Sequence, residues 1–342
     1  MNPAWFDSSV DWGIAFLLPL LTALSGMWLL RFLVPSLVAR MPLLEQLACA
    51  LGLGMMAAAA LTLGIKLCGW SGREVIFVSA LTGSVAEIWR RYRLYTNELN
   101  SFYQHTIGSL TRIILVVAGI IVFLILFRLA GVQGLMDGDA PRWMLKANIL
   151  HLYTGKAIVH WFSNPAFAHA HLDYPTLVPS LHAATYDSIG HIDEFVTKFW
   201  PVWMLLFLIA ALATSNRVLK GRLFVPHWAL FGLLLLPAIQ DYAQWEGSSM
   251  PMVFFTVLGL LQCSLGLLAK DGTRLVLGLT LLFGAAMTTY QGFIFLALAA
   301  LFILPLPAAW TACRTTKVWW RMAVFCVLAA LPFFACVSRY RS

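Results

Sequence analysis

The residues best suited to chemistry lie between Leu135 and Glu194, the longest polar interval in an otherwise apolar chain. Asp137 and Asp139 sit in LMDGDAPRWMLKA. A carboxylate there can act as a general base toward an acceptor hydroxyl, or as a metal ligand. Asp139, two residues before Pro141, is also a natural helix N-cap. Trp143, Lys146 and the following Ala147–Tyr153 are predicted to form a short helix. Trp143 reads as an interfacial aromatic, and Lys146 as an ammonium that either pairs with a phosphate or snorkels to the headgroups. His169, His171 and His182, with Asp173, raise the question of a metal. Single-residue separations put His169 with His171, and His171 with Asp173, on one face of a strand or loop, but the spacing fits no zinc signature and no metal ligand is assigned. Tyr174-Pro175 and Pro179 make a stiff turn and restart a helix. Asp193 and Glu194 then stand where acids meet a helix N-terminus.

The elements that position these groups must be membrane helices. The 342 residues are 61% hydrophobic and 11% charged, with a mean hydropathy of +0.81. Several stretches reach the roughly 18–20 apolar residues that cross a hydrocarbon core of about 30 Å. The dyad alternation of a β-barrel is absent. The expected fold is therefore all-α, a polytopic transmembrane protein of about ten spans forming one membrane domain over 1–342. Its N-terminal spans occupy 1–133, a large periplasmic loop with short helices 134–194, and its C-terminal spans 195–342.

The predicted spans are 12–33, 43–67, a shorter one at 75–89, 113–129, 195–213, 225–239, 250–268, two short helices within 275–307 separated by MTTYQG, and 318–337. Arg31, Arg40, Arg90, Arg91, Arg93, Arg112, Arg217, Lys220, Arg222, Lys270 and Arg274 all fall on one side of this path. By the positive-inside rule that side is cytoplasmic, and Leu135–Glu194 faces the periplasm or exterior. Lys66 and Arg73 are exceptions. The net charge of +8 is absorbed by these turns and requires no nucleic acid. Six cysteines scattered in or beside apolar segments, without CxxC spacing, read as small buried hydrophobes. The acidic start MNPAWFDSSVDWG does not read as a cleavable signal peptide.

In order, DAPRWMLKANIL, HLDYPTLVPSL, GHIDEFVTKFWPVWMLLFL, LPAIQDYAQWEGSSMPMVFF and FGAAMTTYQGFIFLA resemble the motifs of bacterial membrane glycosyltransferases of the GT-C type. That group includes the protein O-mannosyltransferases (family 39-like) and the transferase that places aminoarabinose on lipid A. The likeness covers roughly Asp137 to Pro307. It implies an enzyme of the bacterial inner membrane, active on the outer face. Such an enzyme moves a sugar from a polyprenyl-phosphate donor, sometimes with a divalent metal ion holding the phosphate. By position in the motifs, Asp139 and then Asp137 would be the base and Lys146 the phosphate group. Trp143, His171, Asp173, Tyr174, Glu246 and Gln291 would bind substrate. Two departures stand out. Ser249 and Thr289-Tyr290-Gln291 occupy positions where relatives show Asp and Lys-Asn-Glu, and relatives continue through further spans beyond SRYRS. The alternative expectation is a non-catalytic relative that binds a glycolipid or scaffolds a synthase. A transporter ranks below both, because the spans hold few charges and no inverted repeat is evident.

Overall fold

The computed structural model describes residues 9–71, 78–90, 140–166, 175–218, 248–303, 305, 307 and 318–341. Among these residues there is no strand. The first helices are α1 (Ser9–Leu33), α2 (Pro35–Val38), α3 (Leu43–Leu67) and α4 (78–90). Three short helices follow: α5 (Ala140–Leu152), α6 (Lys156–Phe162) and α7 (Leu177–Ile189). A 3-10 turn, Val196–Lys198, leads into α8 (Phe199–Val218). The remainder comprises α9 (Ser249–Ala269), α10 (Gly272–Ala286), α11 (Tyr290–Ile303) and α12 (Trp319–Arg341).

Five helical stretches are long and apolar enough to cross a membrane: Asp11–Leu33, Leu43–Leu67, Val196–Ser215, Ser249–Ala269 and Trp319–Cys336. They coincide with expected spans to within a few residues. The protein is thus an all-α membrane protein, but five such helices among the described residues are fewer than ten. The expected spans at 113–129 and 225–239 lie outside the described residues. At 78–90, α4 rises only about 20 Å. The 275–307 run divides, as expected, into two helices of 15 and 14 residues, each about 21–22 Å long. They fold back on each other: Gly292 lies against the Ala285 carbonyl, while Ala299 and Ile303 pack with Leu275 and Leu282.

The bundle is built around α3, which packs on α1, α7, α8 and α12. Its contact with α1 depends on two glycines. A Cβ at Gly26 would collide with the Ala50 carbonyl, and one at Gly54 with the Thr22 carbonyl. Small residues allow such backbone approach where helix association rests on packing rather than on expelled water. The pairing of α9 and α10 uses the same device, with Gly278 against Cys263 and Gly259. Outward, α11 presents Ile294, Leu298, Leu301 and Phe302, and α12 presents Val327, Leu328, Leu331 and Phe334. An exposed apolar surface of this extent suits a hydrocarbon solvent.

Buried charge marks the two ends of α3. Near its start, Arg274 Nη1 donates to Glu45 Oε1 at 2.6 Å, and Gln262 Nε2 donates to the same oxygen at 2.9 Å. Near its end lies Lys66, itself 1% exposed. The 21-residue rise between Glu45 and Lys66 is about 31 Å, close to the thickness of a hydrocarbon core. At the Glu45 end α1 also delivers Arg31, which makes a two-pronged ion pair with buried Glu87 of α4. The short helices α5, α6 and α7 gather at the Lys66 end.

Candidate functional site

The helix predicted to carry Trp143 and Lys146 is present as α5. Proline near its start costs nothing, because the first helical N–H groups lack intrahelical acceptors. The turn into α6 requires Gly155 at φ +57°, and the Gly155 N–H donates to the Lys66 carbonyl at 2.7 Å. That bond ties the α5–α6 turn to the end of α3. Helix α7 ends on Gly190 at φ +88°, whose N–H donates to the Tyr186 carbonyl at 2.7 Å. Only glycine takes such a left-handed stop without strain.

Two sequence readings on α5 need correction. Trp143 is 5% exposed, so it is a core side chain rather than an interfacial one. Lys146 is 1% exposed and does not snorkel. Its Nζ lies 4.8 Å from the centroid of the Trp143 ring, three residues back on the same helix face, where a cation is attracted to the ring. His182 is not a surface loop ligand either. It is buried within α7, its Nδ1 has no hydrogen-bond partner, and burial pushes its pKa down to about 3. It is therefore neutral near pH 7. Among the described residues no three of His, Cys, Asp and Glu come together to hold a metal.

Gln291 is exposed in the first turn of α11. Thr289 ahead of it accepts from the Gly292 N–H at 3.2 Å and donates toward Met252 Sδ at 3.3 Å, which makes it the start signal of that helix. Asp137, Asp139, His169, His171, Asp173, Tyr174 and Glu246 lie outside the described residues. Asp193 accepts from the Phe195 N–H at 2.9 Å and, as expected, helps start the helix that continues as α8. Cys49, Cys263 and Cys336 are buried as read, but Cys68 is exposed and Cys326 half-buried.

The structure adds a polar group that the sequence reading did not assemble. Lys66 Nζ donates to Asp187 Oδ1 at 3.0 Å and to the His151 carbonyl at 3.2 Å. The same Asp187 oxygen lies 2.7 Å from His151 Nδ1. A carboxylate beside Nδ1 holds the ring proton there and leaves Nε2 as the basic nitrogen. All three side chains are 4% exposed or less. Just before Asp187 on α7, Trp200 Nε1 donates to Thr185 Oγ1 at 3.0 Å and Tyr186 Oη donates to Met144 Sδ at 3.1 Å. These bonds lock α7 against α8 and α5. Lys198 is also fully buried, with Nζ 5.4 Å from the Phe195 ring centroid. The elements around α7 thus bring Lys66, Lys146 and Lys198 inside the protein. Of the three, Lys66 is balanced by Asp187.

One signal for this group was present in the sequence. Lys66 stands within an apolar span and on the wrong side for the charge rule, and an intramembrane charge requires a named partner. Its partner, Asp187, lies 121 residues later, in a segment that hydropathy reads as a loop. In comparisons with known proteins, no family model, no curated protein and no solved structure matches the chain.

Proposed function

We propose that the chain is a membrane glycosyltransferase that moves a sugar from a polyprenyl-phosphate donor to an acceptor at the Lys66 end of the bundle. The observation that carries this reading is the placement of α5. The helix directly after DGDAP holds Trp143 and buried Lys146 together, at the bundle end that also buries Lys66 and Lys198. Phosphate recognition suits an ammonium point charge. The ten-span topology, with residues 134–194 on the outer face of a bacterial inner membrane, belongs to the same proposal.

In the proposed reaction the acceptor oxygen attacks the anomeric carbon. The bond between that carbon and the phosphate oxygen breaks, and the lipid phosphate leaves with the electron pair. Asp139 takes the acceptor's proton, with Asp137 as the second carboxylate. Lys146 balances charge on the departing phosphate. His171, Asp173, Tyr174, Glu246 and Gln291 shape the sugar and carrier site.

The test uses purified protein in lipid with a panel of radiolabelled polyprenyl-phosphate sugars and candidate acceptors. Wild type should release label from the lipid. Asp139→Asn should lose at least about a hundredfold in rate, the usual scale for a general base. Lys146→Met should lose rate while Lys146→Arg retains part of it. Equal release by Asp139→Asn and wild type would overturn the base assignment. A second reading, a non-catalytic glycolipid-binding relative, is favoured by the Thr289 hydroxyl, which is committed to starting α11 where relatives carry an ionisable group. Binding without release from any donor would support it.

A further inference from the structure

We propose that the cleft between α1, α3 and α4 holds one acyl chain of a bilayer lipid. This goes beyond the glycosyl-transfer reading and does not depend on it. The cleft has a volume of about 190 Å³ and is lined by Thr22, Ser25, Gly54, Ala57, Ala58 and Ser79. Leu29 and Leu61 also line it, and α4 adds Ala80.

Three observations select the occupant. The first is depth. Along α3, Gly54 lies about 14 Å beyond the level of Glu45 and Leu61 about 24 Å beyond it, within the roughly 31 Å that separates Glu45 from Lys66. The cleft is therefore inside the hydrocarbon layer. The second is access. Leu61 is 41% exposed and Ser79 is exposed, so among the described residues the cleft is open at its side. The third is chemistry. Ser25 Oγ donates to the Thr22 carbonyl at 3.1 Å. A buried water needs two to four polar partners, and the Ser25 hydroxyl is already bonded within its own helix. Left empty, the walls would lose dispersion contacts. A volume of about 190 Å³ drawn out along about 10 Å of α3 leaves a cross-section of about 19 Å², room for one extended polymethylene chain rather than two.

The experiment places the full chain in nanodiscs of phosphatidylethanolamine doped with a phosphatidylethanolamine that carries a mid-chain diazirine. After irradiation the labelled peptides are mapped by mass spectrometry. Labelling at Gly54–Leu61 should exceed that at the lipid-facing Leu298–Phe302 of α11. It should fall about tenfold in Ala57→Phe and in Ser79→Phe, with the α11 label unchanged as an internal reference. Two variants on different helices guard against one of them failing to fold. Equal labelling of the two regions would overturn the proposal, as would insensitivity to both substitutions in folded protein. Displacement of the label by added polyprenyl phosphate would also overturn it, in favour of the carrier's isoprenoid chain.

Discussion

The buried contact between Lys66 and Asp187 should be expensive to break singly. At 3.0 Å and an effective dielectric near 20, the gross attraction is about 5 kcal/mol. Desolvation of the two groups offsets most of that gain, so the pair adds little net stability compared with a hydrophobic pair. Removing one member leaves the other charged, buried and uncompensated. Lys66→Met and Asp187→Leu should therefore each cost about 3–5 kcal/mol. In the double variant both charges are gone, and the remaining loss is the orphaned His151 Nδ1–H, about 1–3 kcal/mol. The triple variant with His151→Phe should recover part of that. The assay is reversible unfolding in mixed micelles followed by tryptophan fluorescence, analysed as a double-mutant cycle. A coupling energy above about 2 kcal/mol is expected. Additive single losses, or either single loss below about 1 kcal/mol, would refute the claim that the pair is closed off from water.

Burial lowers the His182 pKa from its ordinary 6.5 to about 3, so between those values the unfolded chain carries a proton that the native chain lacks, and acid favours unfolding. From about pH 7.5 to about pH 5 this one residue should remove about 2 kcal/mol of stability, and His182→Phe should flatten that part of the stability–pH curve. Gly26→Ala must push α1 off the Ala50 carbonyl and should lose about 1–3 kcal/mol, whereas at Gly64 the nearest outside atom is Pro332 Cγ at 3.8 Å and alanine should be neutral or stabilising by up to about 1 kcal/mol. Thermal midpoints of the two variants make that comparison. Asp271→Ala removes the side chain that accepts from the Thr273 and Arg274 N–H groups and should cost about 1 kcal/mol. Its ion pair with Arg40, which is 60% exposed, should add little to that loss.

Hydropathy located the long helices well because a span is recognisable without knowing its neighbours. The apolar run predicts a second span at 43–67, and α3 is Leu43–Leu67. The division of 275–307 at the polar MTTYQG was legible for the same reason, since α10 stops before Met287 and α11 starts at Tyr290. Burial of α7 was not legible. Its sequence LVPSLHAATYDSI carries a proline, four hydroxyl residues, a histidine and an aspartate, and reads as a water-exposed loop helix. It is nevertheless buried from Leu177 to Asp187, because α1, α3 and α5 supply partners that lie farther away in the chain. The same limit applies to Trp143 and Lys146, for which sequence supplied the helix and the spacing but not the burial.

The residues that violate the hydropathy pattern are also those that fix the tertiary arrangement. Glu45 finds Arg274 across 229 residues, Lys66 finds Asp187 across 121, and Glu87 finds Arg31 across 56. Apolar helices in lipid have no hydrophobic reason to prefer one neighbour over another. An intramembrane charge does have such a preference, because a wrong neighbour leaves it unpaired in hydrocarbon at a cost of several kcal/mol. The pairs at the two ends of α3 therefore select which helices meet it and at what height. The Glu45 pair brings α9 and α10 to one end, and the Lys66 pair brings α5 and α7 to the other. If so, exchanging the charges at the Lys66 end, as in Lys66→Asp with Asp187→Lys, should retain more stability than either single exchange. His151 limits the rescue, because its Nδ1–H would then face an ammonium. Adding His151→Glu should improve it, with the order of unfolding midpoints as the readout. No gain from the double exchange over the singles would mean that α7 is held by its apolar contacts alone.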